Sequence, residues 1–219
     1  AALILTMFLA AVSAAGQVLT VKNDIPESQY LAAEAKASEL LKTANYRVVW
    51  TKEYVDDRSN TAILEEKRLK EVVQPNKSRT IDERFIGKGR RIENIFDGKA
   101  LYFRRNDEPW SRGNSWTSVS RGVEGRELQR DYKSFEVVEF EGQSVQLYQM
   151  VSLREPGDPF NERLAGIPYL HSTRIWYSFD GRILRKIVGM GIEGSNDMFR
   201  ETTTYEYNPR DLKIEAPVK

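Results

Sequence analysis

The sequence predicts an α+β fold: one large curved antiparallel β-sheet with an N-terminal helix packed over its concave face. Three observations predict it. One stretch of helical texture precedes a chain whose apolar residues alternate or cluster in strand-length runs. Asp97-Gly98, Glu141-Gly142 and Asp180-Gly181 separate pairs of such runs, and tight turns of this kind join antiparallel neighbours. The spacing leaves no room for crossover helices, which disfavours a parallel sheet.

The chain opens on Leu3-Ile4-Leu5-Thr6-Met7-Phe8-Leu9-Ala10-Ala11-Val12, an apolar run of signal-peptide length. It is too short to span a bilayer, which takes roughly 20 apolar residues. Val12-Ser13-Ala14-Ala15-Gly16 supplies the small residues a signal peptidase requires, with cleavage expected after Ala14 or Ala15. Residues 1–15 thus read as a signal peptide truncated at its start, and residues 16–219 as a single domain. There is no cysteine, so no disulfide staples the fold. Gly16 and Gln17 stand where a bacterial lipoprotein would need its acylated cysteine. The expected mature protein is therefore periplasmic, soluble and not lipidated.

After a short polar linker, Pro26 opens a helix expected over residues 26–44, with Glu27 near the positive end of its dipole. Leu31, Ala32, Ala35, Ala37, Leu40 and Leu41 form a modest apolar stripe. Strand texture begins at Tyr46-Arg47-Val48-Val49-Trp50-Thr51. Further strands are expected over 61–73, 79–85, 91–96, 99–103, 135–140, 145–153, 175–179, 183–190 and 199–207. Residues 122–132, anchored only by Leu128, are expected to add a short helix.

Chemistry finds little footing. The 33 basic and 32 acidic residues are interspersed and give a net charge of +1, which is no nucleic-acid footprint. His171 is the single histidine, expected in a loop over 161–172, and no Gly-x-Ser-x-Gly elbow accompanies it. Gly87-Lys88-Gly89 lacks the phosphate-loop pattern and reads as a turn. Glu136 and Glu139 are three positions apart, an odd offset, so a strand points them to opposite faces. No catalytic residue, cofactor or metal ligand set is assigned, and a hydrolase using His171 is the least favoured reading.

Aromatic residues are more informative. Trp50, Phe85, Phe96, Phe103, Tyr148, Trp176 and Tyr177 fall one or two per strand. They serve as core packing, or they line a partly uncovered concave face that holds an apolar ligand or a partner. Asp107-Glu108-Pro109-Trp110-Ser111-Arg112-Gly113 stands apart; its Trp docks the loop on the sheet edge or forms part of a rim.

The order of these elements and several of their motifs resemble LolA-like proteins, the lipoprotein-carrier superfamily of outer-membrane lipoprotein sorting. Val73-Gln74-Pro75-Asn76-Lys77-Ser78-Arg79 resembles that family's x-x-Pro-Asp-Lys-x-Arg strand end, with Asn76 in place of the usual Asp. Ile95-Phe96-Asp97-Gly98-Lys99-Ala100-Leu101-Tyr102 is similar to its Gly-Lys-x-x-Tyr hairpin, and Pro109-Trp110-Ser111 to the Trp that follows. Trp176-Tyr177-Ser178-Phe179-Asp180-Gly181-Arg182-Ile183 resembles a later strand pair but lacks its Pro. Thr202-Thr203-Thr204-Tyr205-Glu206-Tyr207-Asn208-Pro209, followed by Ile214-Glu215-Ala216-Pro217, is similar to the closing strand.

The resemblance implies a half-barrel with a helical lid over an apolar cavity. It further implies a carrier of lipid or of lipoprotein acyl chains that works in outer membrane biogenesis, with a membrane-bound donor or acceptor protein as partner. The seven aromatics are the candidate cavity residues. An envelope sensor or protein-interaction module using the same concave face is the alternative.

Overall fold

Every hydrogen-bonded strand pair among the described residues is antiparallel, and twelve strands join in one open sheet beside a single helix. The structure, a computed structural model, describes residues 19–56, 61–113, 127–155, 168–192 and 198–217. The expected signal peptide over residues 1–15 lies outside them.

The chain begins with β1 (Leu19–Asp24), α1 (Glu27–Thr43) and β2 (Tyr46–Asp56). A first meander continues through β3 (Thr61–Val73), β4 (Lys77–Arg84), β5 (Arg90–Phe96), β6 (Leu101–Arg105) and β7 (Ser111–Arg112). A second comprises β8 (Glu127–Phe140), β9 (Gln143–Arg154), β10 (Tyr169–Tyr177), β11 (Ile183–Gly191) and β12 (Phe199–Tyr207). The order across the sheet is β1-β8-β9-β10-β11-β12-β2-β3-β4-β5-β6-β7, so the two meanders meet where β12 pairs with β2.

That order dictates what α1 must do. It leaves β1 at one edge and delivers the chain to β2, six strand steps away. Six steps span about 29 Å at about 4.8 Å each. A helix of 17 residues is about 25 Å long. The helix therefore runs across the strands and covers the second meander. Its contacts follow this path: Ile25 N donates to Tyr132 O of β8 (3.2 Å), Glu34 pairs with Lys186 of β11 (3.5 Å), and Gln74 N beyond β3 donates to Asn45 Oδ1 (2.8 Å).

Local chemistry sets the turns. Asp97 Oδ1 accepts from Lys99 N (2.9 Å) and Ala100 N (2.8 Å) between β5 and β6. These two bonds hold its carboxyl below the usual range, the Ala100 bond first. Gly98 takes φ +96°, a left-handed conformation that glycine adopts without strain.

Cross-strand partners share a face, so the register sorts side chains into a helix face and an outer face. On the outer face of the first meander, Arg47 bonds Glu71 (2.8 Å), Arg79 bonds Glu93 (2.7 Å), and Arg104 bonds Glu93 (2.7 Å). Both carboxylates are buried. The segment after β12 straps this face: Asp211 pairs with Arg47 (2.8 Å), Lys77 Nζ donates to Ile214 O (3.4 Å), and Ile214 is buried. At the sheet edge Trp110 lies under the Arg104 guanidinium, 4.7 Å from ring centre to charge, which is the docking use of that Trp.

Three expectations are corrected. Residues 127–132 are strand, not helix, because all but Leu128, which falls in a register shift, pair along β9; residues 122–126 lie outside the described residues. His171 lies in β10 opposite Ser152 and Met190, not in a loop. Residues 19–24 are an edge strand on β8 where a linker was expected; polar side chains do not prevent an edge strand from pairing through its backbone.

Candidate functional site

The helix–sheet seam is the candidate site. Under α1, Tyr148 of β9, Ile175 and Tyr177 of β10 and Ile183 at the start of β11 form a buried cluster with Tyr30 and Ala37 of the helix. Ile25, Ala33, Tyr132, Met150 and Tyr205 pack against its margin. Tyr148 and Tyr177 meet edge to face at 5.5 Å, and Tyr30 meets Tyr132 at 5.1 Å.

Helix α1 is thinly attached for a covering element. Tyr30 and Ala37 are its only buried residues. Pro26 caps it with no side-chain hydrogen bond. The inward side carries Tyr30, Ala33, Glu34 and Ala37, with Leu40 and Leu41 half-buried; of the expected stripe Ala37, Leu40 and Leu41 turn inward, whereas Leu31, Ala32 and Ala35 are exposed, Leu31 by 50 %. Both stripes have helical spacing. The one that wins puts an aromatic ring into the sheet and two alanines where the helix approaches closely.

The seven aromatics separate into four placements. Tyr148 and Tyr177 lie in the seam itself. Trp50, Phe96 and Phe103 share the same face of the sheet, on β2, β5 and β6. Trp176 points to the opposite face, where it is buried with Phe135, Phe140, Val145 and Leu147. Phe85 stands beyond the end of β4 and is 50 % exposed. Adjacent strand residues cannot share a face, so Trp176 and Tyr177 are divided by geometry alone.

Nor is the aromatic surface continuous. Arg68 and Asp82, an ion pair across β3 and β4, stand between Trp50 and the β5–β6 aromatics on the helix face. Arg68 covers Trp50 at 5.6 Å, and Trp50 Nε1 donates to Glu201 Oε2 at 3.3 Å. The result is an apolar seam under α1, a framed Trp50 and a separate β5–β6 patch.

The seam is rich in tyrosine, and its electrostatics follow. Burial first, then the charge of Glu34, pushes the Tyr30 and Tyr177 hydroxyls well above the ordinary tyrosine range. Burial raises Tyr205 likewise, and pushes Tyr207 up to about 12. A raised folded-state pKa means stability is complete below the unfolded value, about 10, and is lost as pH rises beyond it. The urea midpoint is therefore expected to fall above pH of about 10. Tyr177 Oη has no hydrogen-bond partner among the described residues. Tyr177→Phe should thus keep neutral-pH stability and shrink the alkaline loss; an unchanged alkaline slope would remove Tyr177 from the account.

Sequence reasoning missed Tyr30, Tyr132, Met150, Ile175, Ile183 and Tyr205 as seam residues. The signal was present in the alternation of β10, where Tyr169, Thr173, Ile175 and Tyr177 share parity with Tyr148 through the register. Among the described residues, no group of three or more His, Cys, Asp or Glu could hold a metal ion. No helix there is long and apolar enough to cross a membrane.

No protein-family model matches the chain, and no curated protein does. Among solved structures it is similar to LprF from Mycobacterium bovis: TM-score 0.44, 10 % identity, 90 % of this chain and 100 % of that one covered. It is also similar to a structure described as an outer membrane lipoprotein-sorting protein domain from Vibrio parahaemolyticus: TM-score 0.26, 7 % identity, 83 % and 91 % covered. A DUF1329 family protein from Desulfovibrio piger gives 0.26 at 8 % identity, covering 90 % of this chain and 96 % of that one. At such identities the likeness concerns the fold alone.

Proposed function

We propose that this chain is a non-catalytic, exported carrier that binds acyl chains of lipids or lipoproteins in the periplasm, in the seam between α1 and the second meander. One observation carries the reading. A contiguous apolar surface of Tyr148, Ile175, Tyr177 and Ile183 is covered by a helix that buries only two residues of its own. Such a cover can be displaced by an apolar ligand that replaces its contacts. An acyl chain gains about 0.8 kcal/mol per buried CH₂, so a long chain can outcompete one tyrosine and one alanine. The LolA-like motifs support the same use, and a membrane-bound donor or acceptor protein would complete the transfer.

The test is native mass spectrometry of protein purified from its own host, joined to displacement of a fluorescent fatty acid. Bound lipid, or displacement that Ile175→Trp abolishes while circular dichroism stays unchanged, is the expected result. Absence of both lipid and displacement overturns the reading.

A further inference from the structure

The loop between β4 and β5 places an apolar pair at the tip of a cationic segment. Phe85 is 50 % exposed and Ile86 43 % exposed. A Cβ built on Gly87 would meet nothing within 4 Å, so the tip stands clear of the rest of the described chain. From residue 84 to 92 the sequence reads Arg84-Phe85-Ile86-Gly87-Lys88-Gly89-Arg90-Arg91-Ile92: four cations and no acid. Lys88 and Arg90 are exposed and have no ion-pair partner among the described residues. Arg84 and Arg91 have only long contacts, Arg84 with Glu66 at 3.8 Å and Arg91 with Glu83 at 3.9 Å and Glu93 at 3.8 Å.

The loop is also anchored at its base. Phe85 N donates to Glu65 O at 2.8 Å, and Arg91 N donates to Asn106 Oδ1 at 2.9 Å. The exposed pair is therefore presented from a fixed stem. Four cations on a segment without acids depart from the overall balance of 33 basic and 32 acidic residues.

We propose that the β4–β5 loop docks the protein on an anionic lipid surface, with Phe85 and Ile86 entering the headgroup boundary and Lys88 and Arg90 pairing with lipid phosphates. An aromatic and an aliphatic side chain flanked by cations is the chemistry that such an interface rewards. Arg84 and Arg91 add charge at the stem, and their aliphatic parts suit the boundary region. Polyanions such as nucleic acid would engage the cations alone and leave the apolar pair idle, so dependence on Phe85 and Ile86 separates the two. The docking does not depend on the carrier reading, because it is measured without cargo.

The experiment exploits the absence of cysteine in the native chain. The Ile86→Cys protein, labelled with an environment-sensitive dye, is mixed with phosphatidylcholine vesicles, with or without phosphatidylglycerol. Ser38→Cys on the exposed side of α1 is the control. A blue-shifted, brighter signal is expected at position 86 with anionic vesicles only, and none at position 38. In co-sedimentation of unlabelled protein, Phe85→Ser with Ile86→Ser, and separately Lys88→Gln with Arg90→Gln, should each weaken binding at least about tenfold. These exposed sites leave the fold intact, which fatty-acid displacement and circular dichroism check. Equal signals at 86 and 38, vesicle binding indifferent to phosphatidylglycerol, or variants that bind like the native chain each overturn the docking. Loss of fatty-acid binding in the native protein with docking intact overturns only the carrier reading.

Discussion

Glu93→Ala should lower the stability of the folded chain by about 3 kcal/mol, read as a fall in the urea midpoint. The carboxylate is 2 % exposed and accepts from Arg79 at 2.7 Å and Arg104 at 2.7 Å. Removing it leaves two guanidinium groups facing each other across β4, β5 and β6 with nothing between them. The arginines keep about a third of their side-chain surface in water, which puts the loss at the low end of the range for breaking a buried pair. Arg91→Gln is the contrast. Its contact with Glu93 is 3.8 Å long and 45 % of its side chain is exposed, so the change should cost less than about 0.5 kcal/mol. Equal effects of the two substitutions would show that the network is not centred on Glu93.

The same carboxylate sets an acid limit. Burial favours its neutral form, but hydrogen bonds from Arg104 and Arg79 outweigh burial and hold its pKa below the ordinary 4.5. A depressed folded-state pKa contributes stability above the unfolded value and loses it as pH falls through the folded one. Stability should therefore decline below pH of about 4.5 in the native chain, and decline less in the Glu93→Ala protein.

How much of this was legible before the structure depends on the scale. Turn chemistry is local, so the Asp97-Gly98, Glu141-Gly142 and Asp180-Gly181 hairpins and the bounds of β3 and β12 follow directly from their residues. Helix α1 was legible to within a residue or so at each end, since Pro26 suits the first turn and the strand run begins at Tyr46. Its buried face was legible only at Ala37, Leu40 and Leu41, because Leu31 and Tyr30 lie on two stripes of equal period and only the sheet below chooses between them. Residues 127–132 were lost for a related reason: their strand state is supplied by pairing with β9, a partner that only tertiary structure reveals. Among the site aromatics, parity alone separated Trp176 from Tyr177. The Arg68–Asp82 strip that divides Trp50 from Phe96 and Phe103 needed the register across five strands, β2 to β6.

Ala37→Glu should release α1 from the sheet while leaving the sheet itself paired. Ala37 is fully buried, and a carboxylate there would sit one turn from Glu34, among Tyr148, Ile175 and Tyr177. Burying an unpaired charge costs several kcal/mol. What holds the helix down is chiefly Tyr30, whose burial contributes about 2 to 3 kcal/mol. The penalty exceeds the attachment, so the cheaper outcome is for the helix to swing away and hydrate the new carboxylate. The sheet can survive this, because its ladder of antiparallel pairs from β8 to β12 and on to β2 contains no bond from α1. Expected readouts are stronger binding of a hydrophobic dye, native-like β-sheet circular dichroism, and increased hydrogen exchange confined to residues 27–43. If α1 instead belongs to the same cooperative unit as the sheet, Ala37→Glu will abolish the sheet signal together with the helix, and a displaceable cover over the seam is ruled out. Ala37→Gly distinguishes this from mere loss of helix propensity, since it costs the helix about 1 kcal/mol without introducing charge and should leave dye binding unchanged.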